Sequence, residues 1–153
     1  MRDSRAEAER WLRQAEHDLA FGRLALKERF FAQACFVAQQ TGEKALKAIA
    51  YAQGELVVIG HSLVELVSRL QDRVATLRAR REDAGILDQY YVPTRYPNGL
   101  AGGVPFEAFG ETQAVGALAA AERCFVAKIE EGLRQSEAGE LIPHEEVKQQ
   151  LLS

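Results

Sequence analysis

Apolar residues return every three to four positions along most of this chain, and segments alternating in the manner of a strand are almost absent. From Ser4 to about Arg29 the step is kept by Trp11, Ala15, Leu19, Leu26 and Phe30, which predicts a long first helix with Ser4 as N-cap and Glu7 at capping-box distance. Phe31, Cys35, Ala38, Ala45 and Ile49 mark a second helix to about Gln53, with Gly54 as its stop. After the link "ELVVIG", the motif "GHSLVEL" opens a third, in which Leu63, Leu66, Val67, Leu70, Val74 and Leu77 keep the period and Ser62 with Glu65 forms a capping box. A short helix is expected over Arg81 to Tyr91, where Pro93 and Pro97 forbid continuation. A last long helix, about Thr112 to Gln135, is given Val115, Leu118, Ala119, Phe125, Val126, Ile129 and Leu133 as its inner face. The expected fold is all-α: an up-and-down bundle of four to five helices with one long loop before the last long helix. Residues 1–135 form the bundle, and residues 136–153 an acidic tail or short docked helix.

Composition narrows the function. The 153 residues suffice for one core, and a net charge of −3 excludes coating nucleic acid or an anionic membrane by bulk charge. No apolar run is long enough to span a bilayer and the start, "MRDSRAEAERW", is charged, so a cytoplasmic protein is expected. Cys35 and Cys124, far apart and among small apolar neighbours, suit reduced thiols packed as hydrophobes. Neither metal-ligand spacing nor a cofactor motif is present.

In the second helix, "AQQTGEKALKA" places Gly42 where a glycine costs about 1 kcal/mol relative to alanine, which implies close approach of a neighbouring helix. Glu43 and Lys47 have the spacing of an intrahelical ion pair; Lys44 and Lys47 share one side and form a candidate anion site. His61 precedes a helix N-terminus, where free N–H groups favour phosphate, although capping and packing account for it more simply. His17, on a solvated helix, and His144, in the tail, are not expected in a site. Arg69, Arg73, Arg78, Arg80 and Arg81 complement a helix C-terminus, and a basic stripe against RNA is the sharper alternative. The segment "LDQYYVPTRYPNGLAGG" stands apart from all the helical patterning. Pro93 and Pro97 stiffen the chain around Arg95, and Tyr90, Tyr91 and Tyr96 offer faces on which a base or guanidinium stacks. Either it binds an anionic aromatic ligand, or the tyrosines plug the bundle end while Arg95 pairs with a carboxylate such as Asp88. The glycines that follow lack a phosphate-loop lysine and serve as a flexible connector.

"WLRQAEHDLAFG", "FAQACFVAQQTGEKALKA", "GHSLVEL" and "YYVPTRYP", in this order from about Arg10 to Leu133, resemble the HEPN domain family. The resemblance implies a homodimeric helical bundle, association with a nucleotide or RNA, and a minimal nucleotidyltransferase partner in a toxin–antitoxin-like pair. Ribonuclease members carry an arginine and, shortly after it, a histidine near the start of the last long helix. Here that helix has Arg123 and Arg134 but no histidine, and the nearest spacing, Arg10 to His17, lies in the first helix. A non-nucleolytic branch is therefore implied, with Lys47, His61, Tyr91, Arg95 and Tyr96 as the nucleotide or anion site and no catalytic residue. Two alternatives remain open: a metal-independent RNase built on His61 and Arg95, and a purely structural dimerising partner.

Overall fold

The computed structural model describes the backbone of residues 3–137 and the side chains of residues 3–127. Six helices occupy them: α1 (Ser4–Lys27), α2 (Phe31–Ala52), α3 (Leu63–Leu70), α4 (Arg81–Asp88), α5 (Pro105–Ala108) and α6 (Glu111–Glu137). Tight 3-10 turns lie at Ala75–Arg80 and Pro97–Gly99, and no strand occurs among the described residues. None of these helices is long and apolar enough to cross a membrane. The all-α bundle expected from periodicity is the architecture found. The tail beyond 137, with His144, lies outside the described residues.

Three long helices carry the bundle. α1 and α2 form an antiparallel pair, linked by the ion pair of Asp18 with Lys44 and by Trp11 stacked on Tyr51 at 5.9 Å. α6 runs back along α1, tied by Arg23–Glu122 at 3.1 Å and Arg29–Glu111 at 3.8 Å. Cys35 and Cys124 are fully buried, and burial pushes both thiols up to about 12, so neither is a nucleophile at neutral pH.

Several boundaries differ from the sequence pattern for identifiable reasons. The N-cap of α1 is Asp3, whose carboxylate accepts from the Arg5 N–H at 3.0 Å, one residue before the expected Ser4. The third helix stops at Leu70 instead of running to Leu77. Val74 and Leu77 are still fully buried, because a 3-10 turn repeats every three residues and keeps both on one side. On α6 the expected inner positions Leu118 and Phe125 are buried, Val115 and Val126 are instead 50% and 41% exposed, and Ala114, Ala117, Ala120, Ala121 and Cys124 also face inward; Ile129 and Leu133 lie outside the described side chains. α6 lies close to α1: a Cβ added at Gly22 of α1 would sit 2.7 Å from Leu118 Cδ2, and the small residues of α6 suit such an approach.

α2 is buried on nearly every side, between α1 and α6 and against α3 and α4. Gly42 is the closest approach. A Cβ there would lie 2.6 Å from Leu87 Cδ1 and 2.7 Å from Leu63 Cδ2, which explains a glycine in mid-helix. Four polar residues, Gln39, Thr41, Glu43 and Lys47, are nevertheless buried in this helix. Thr41 donates to the Val37 carbonyl at 2.9 Å, and Lys47 Nζ meets Glu43 Oε1 at 2.9 Å with both side chains 6% exposed. Burial alone raises the Glu43 carboxyl, but hydrogen bonds from Lys47, Gln39 and His61 and the charge of Lys47 outweigh it, so the group sits below its ordinary 4.5.

Two outcomes follow for stability. Gly42→Val is expected to destabilise by about 1–3 kcal/mol through overpacking, whereas Gly116→Ala, in open space on α6, gains up to about 1 kcal/mol of helix propensity; thermal unfolding of both variants checks the pair. Glu43→Ala strands a buried ammonium and is expected to cost about 3–5 kcal/mol, while the double replacement Glu43→Leu with Lys47→Met is close to neutral. A depressed carboxyl stabilises the fold above its ordinary value and loses that contribution as pH falls through its lowered one. The wild type is therefore expected to lose stability below pH 4.5 more steeply than the double variant, as read by denaturant unfolding across pH.

Candidate functional site

The buried charges of α2 lead outward to a surface cluster. Gln39 donates to Glu43 Oε2 at 3.1 Å and to the His61 carbonyl at 3.3 Å. Glu43 Oε1 in turn lies 3.1 Å from His61 Nδ1, so the ring is fixed at one nitrogen while its side chain remains 57% exposed. The backbone just before it turns at Gly60, where φ is +95°, a conformation that a side chain would resist. His61 then stacks on Tyr91, with ring centroids 4.8 Å apart and planes 21° apart.

Tyr91 opens the proline-stiffened loop. Thr94, buried, donates its hydroxyl to the Tyr90 carbonyl at 2.5 Å, and the Arg95 N–H reaches the Val92 carbonyl at 3.1 Å, so the chain coils into a tight turn around Pro93. Gly99 packs against the Pro93 backbone, where an added Cβ would come within 3.0 Å of its Cα. That glycine makes a close contact, and "flexible connector" does not describe it. The turn holds the Arg95 guanidinium over three rings: Phe36 at 4.4 Å, Tyr91 at 4.7 Å and Tyr96 at 5.1 Å. Its Nε donates to the Tyr91 carbonyl at 2.8 Å. The two terminal nitrogens have no hydrogen-bond partner among the described residues, so the planar edge of the cation is free for an oxyanion.

The structure brings His61, Tyr91, Arg95 and Tyr96 into one continuous stack. Lys47 is different. Its ammonium is spent inside the protein on Glu43 and on the Trp11 ring 5.2 Å away, and it reaches the cluster only through Glu43 and His61. The shared anion site expected of Lys44 and Lys47 is not formed, since Lys44 is paired with Asp18. Tyr90 points away from the stack, edge-on to Phe109 at 5.8 Å, and burial raises its hydroxyl pKa. The plug and the exposed stacking surface are thus different tyrosines.

Asp88 does not pair with Arg95. It caps α3, accepting from Leu63 N–H at 2.7 Å, Val64 N–H at 3.1 Å and the Ser62 hydroxyl at 2.8 Å. Ser62 also accepts from the Glu65 N–H at 3.2 Å, as its capping motif requires. The free N–H groups expected beside His61 are therefore already satisfied. The basic series is likewise occupied: Arg69 and Arg73 clasp Glu55 at 2.9 and 2.7 Å, Arg78 meets Asp72 at 3.2 Å, and Arg81 donates to the Ser68 hydroxyl at 3.2 Å. Arg80 and Arg123 converge on the buried Asp83, Arg123 through bonds of 2.8 to 3.1 Å that raise its own pKa. What the sequence missed is Phe36, the nearest ring to Arg95; its place between Cys35 and Val37 gives a single chain no signal beyond ordinary core packing.

Among the described residues no group of three or more His, Cys, Asp or Glu side chains is placed to hold a metal ion. Comparison with known proteins extends these observations. The HEPN domain matches residues 8–131. The crystal structure of a protein from Thermus thermophilus superposes with a TM-score of 0.76 at 36% identity, covering 80% of this chain and 96% of that one. The crystal structure of an archaeal HEPN homologue superposes with a TM-score of 0.68 at 32% identity, covering 86% and 98%. No curated protein matches. Since the domain match spans most of the bundle and a HEPN homologue shares its fold at this identity, the chain belongs to the HEPN family.

Proposed function

We propose that this HEPN module is a non-nucleolytic binding protein that engages a nucleotide or RNA phosphate at Arg95, works as a homodimer, and pairs with a minimal nucleotidyltransferase in a toxin–antitoxin-like unit. The observation that carries the reading is the state of Arg95: its face is stacked on Phe36, Tyr91 and Tyr96, its edge is free, and no carboxylate neutralises it. Such a cation donates two in-plane hydrogen bonds to phosphate oxygens. Tyr96, 51% exposed, and the imidazole of His61 flank it with a surface for a base and a second phosphate contact. The dimer is supported by exposed apolar side chains along α1 and α6, Phe21 at 53%, Leu24 at 52% and Val115 at 50%, since a two-fold contact buries such a face on both copies.

The proposed lack of ribonuclease action is supported by proton chemistry. Arg123 is locked on Asp83, no histidine lies in α6, and an arginine does not exchange protons at neutral pH.

Arg95→Ala is expected to weaken binding of a fluorescent nucleotide or short RNA by about tenfold or more, the worth of a charge-assisted bidentate contact. Its melting transition should move little, because the lost cation–ring contacts contribute only about 1 kcal/mol at a partly exposed site. Tyr91→Phe keeps the stacking face and should bind as wild type. Unchanged binding in Arg95→Ala, with or without lost stability, would falsify the ligand-site reading. Light scattering should give twice the 17.0 kDa chain mass, and the purified protein should leave labelled RNA intact with metal chelated; a monomer, or cleavage abolished by His61→Ala, removes the corresponding element of the proposal.

A further inference from the structure

A concavity lies beside the Trp11 ring that covers the Lys47 ammonium of the buried Glu43–Lys47 pair. It is an open groove of about 730 Å³ along α1, with Trp11 in its wall, Arg10, Arg13, Gln14 and His17 from α1, and Lys44 from α2. That volume is within the range of small-ligand sites. Its charge contradicts the rest of the molecule. The chain carries −3 overall, yet three cations from two helices line the groove against a single carboxylate, Glu7.

Two of the three cations already have an acid. Glu7 is bonded to Arg10 at 2.5 Å, and Asp18 holds Lys44 while accepting from Gln14 at 2.9 Å. Arg13 and His17 have no hydrogen-bond or ion-pair partner among the described residues. The groove therefore keeps two unpartnered donors, Arg13 and His17, and helical spacing sets them beside Arg10: the three follow one another at three and four residues along α1. Trp11 is held rigidly by Tyr51 at 5.9 Å and by the Lys47 ammonium at 5.2 Å, so the wall does not need to be ordered by a ligand.

We propose that this groove is a separate binding site for a small polyphosphate anion, with Arg13 as its principal phosphate contact, Arg10 and Lys44 sharing charge with their acids, and His17 donating at the far end. It is independent of the nucleotide site at Arg95. The spacing from Arg10 to His17, misplaced for a ribonuclease motif, marks two residues of one cavity.

Trp11 is the chain's single tryptophan, so intrinsic fluorescence reports on this groove. Titration of the full chain with sodium tripolyphosphate at physiological salt is expected to give a saturable change in Trp11 emission. Arg13→Ala should weaken the midpoint by about tenfold and Arg13→Glu should abolish saturation, while Arg95→Ala leaves the titration unchanged. Both Arg13 variants alter an exposed side chain, and a wild-type melting transition verifies their fold. A response that does not saturate, that survives Arg13→Glu, or that is lost in Arg95→Ala overturns the proposal; the last result would place the anion at the stacked loop instead.

Discussion

A helix packed on nearly every side must satisfy most of its polar groups inside the protein, and α2 is such a helix. Its polar row, Gln39, Glu43 and Lys47, is spaced at four residues, so the three side chains lie one above another. Each end of the row leaves the helix. Gln39 and Glu43 hold the carbonyl and ring of His61 in the link before α3, and Lys47 is capped by the indole of Trp11 on α1. Two surface features on different elements are thus set by one interior ion pair. Apolar residues of the same volume would stabilise this helix as well or better. What they would not supply is a fixed imidazole nitrogen, because hydrophobic contact has no directional preference.

The parts of this arrangement visible in the sequence are those governed by separations of three and four residues. The helices, the Ser62 cap, the Glu43–Lys47 pair and the anomaly of Gly42 depend on neighbours one turn away, and each is found. The parts that were not legible depend on partners brought close only by tertiary packing. Asp88 caps α3 across some twenty-five positions, Asp83 draws in Arg123 across forty, and Phe36 slides beneath Arg95. Nothing in the spacing of these residues distinguishes them from other carboxylates and rings. On α6 periodicity places Leu118 and Phe125 correctly and errs at two positions for a physical reason. Hydrophobicity favours Val115 and Val126 as inner positions, whereas close helix approach favours Ala114, Ala117 and Ala121, and approach prevails.

The candidate site was legible as a set of residue types and not as an arrangement. Proline, tyrosine and arginine in sequence signalled a stiff, aromatic, cationic loop, and His61, Tyr91, Arg95 and Tyr96 do form one stack. Lys47 fits the same chemical description and lies inside. A lysine four residues after a glutamate in a buried helix belongs to that glutamate first, and an ammonium with a carboxylate and an indole for neighbours has little left for a ligand.

The charge state of the loop depends on where one carboxylate goes. Asp88 had two available fates, as counter-ion to Arg95 or as cap of α3. The cap offers it three donors at fixed positions, two backbone N–H groups and a hydroxyl, all within 3.1 Å. Arg95 offers a partly exposed guanidinium, and ion pairs of that kind are worth little because each partner retains its water. The stronger demand wins, for unsatisfied N–H groups at a half-buried helix start are costly in a way that a stacked, solvated cation is not. In capping α3, Asp88 fills the N-terminus beside His61 and leaves Arg95 without a counter-charge. The same bond that secures the fold thereby moves the unpaired positive charge of this surface from the helix end to the loop.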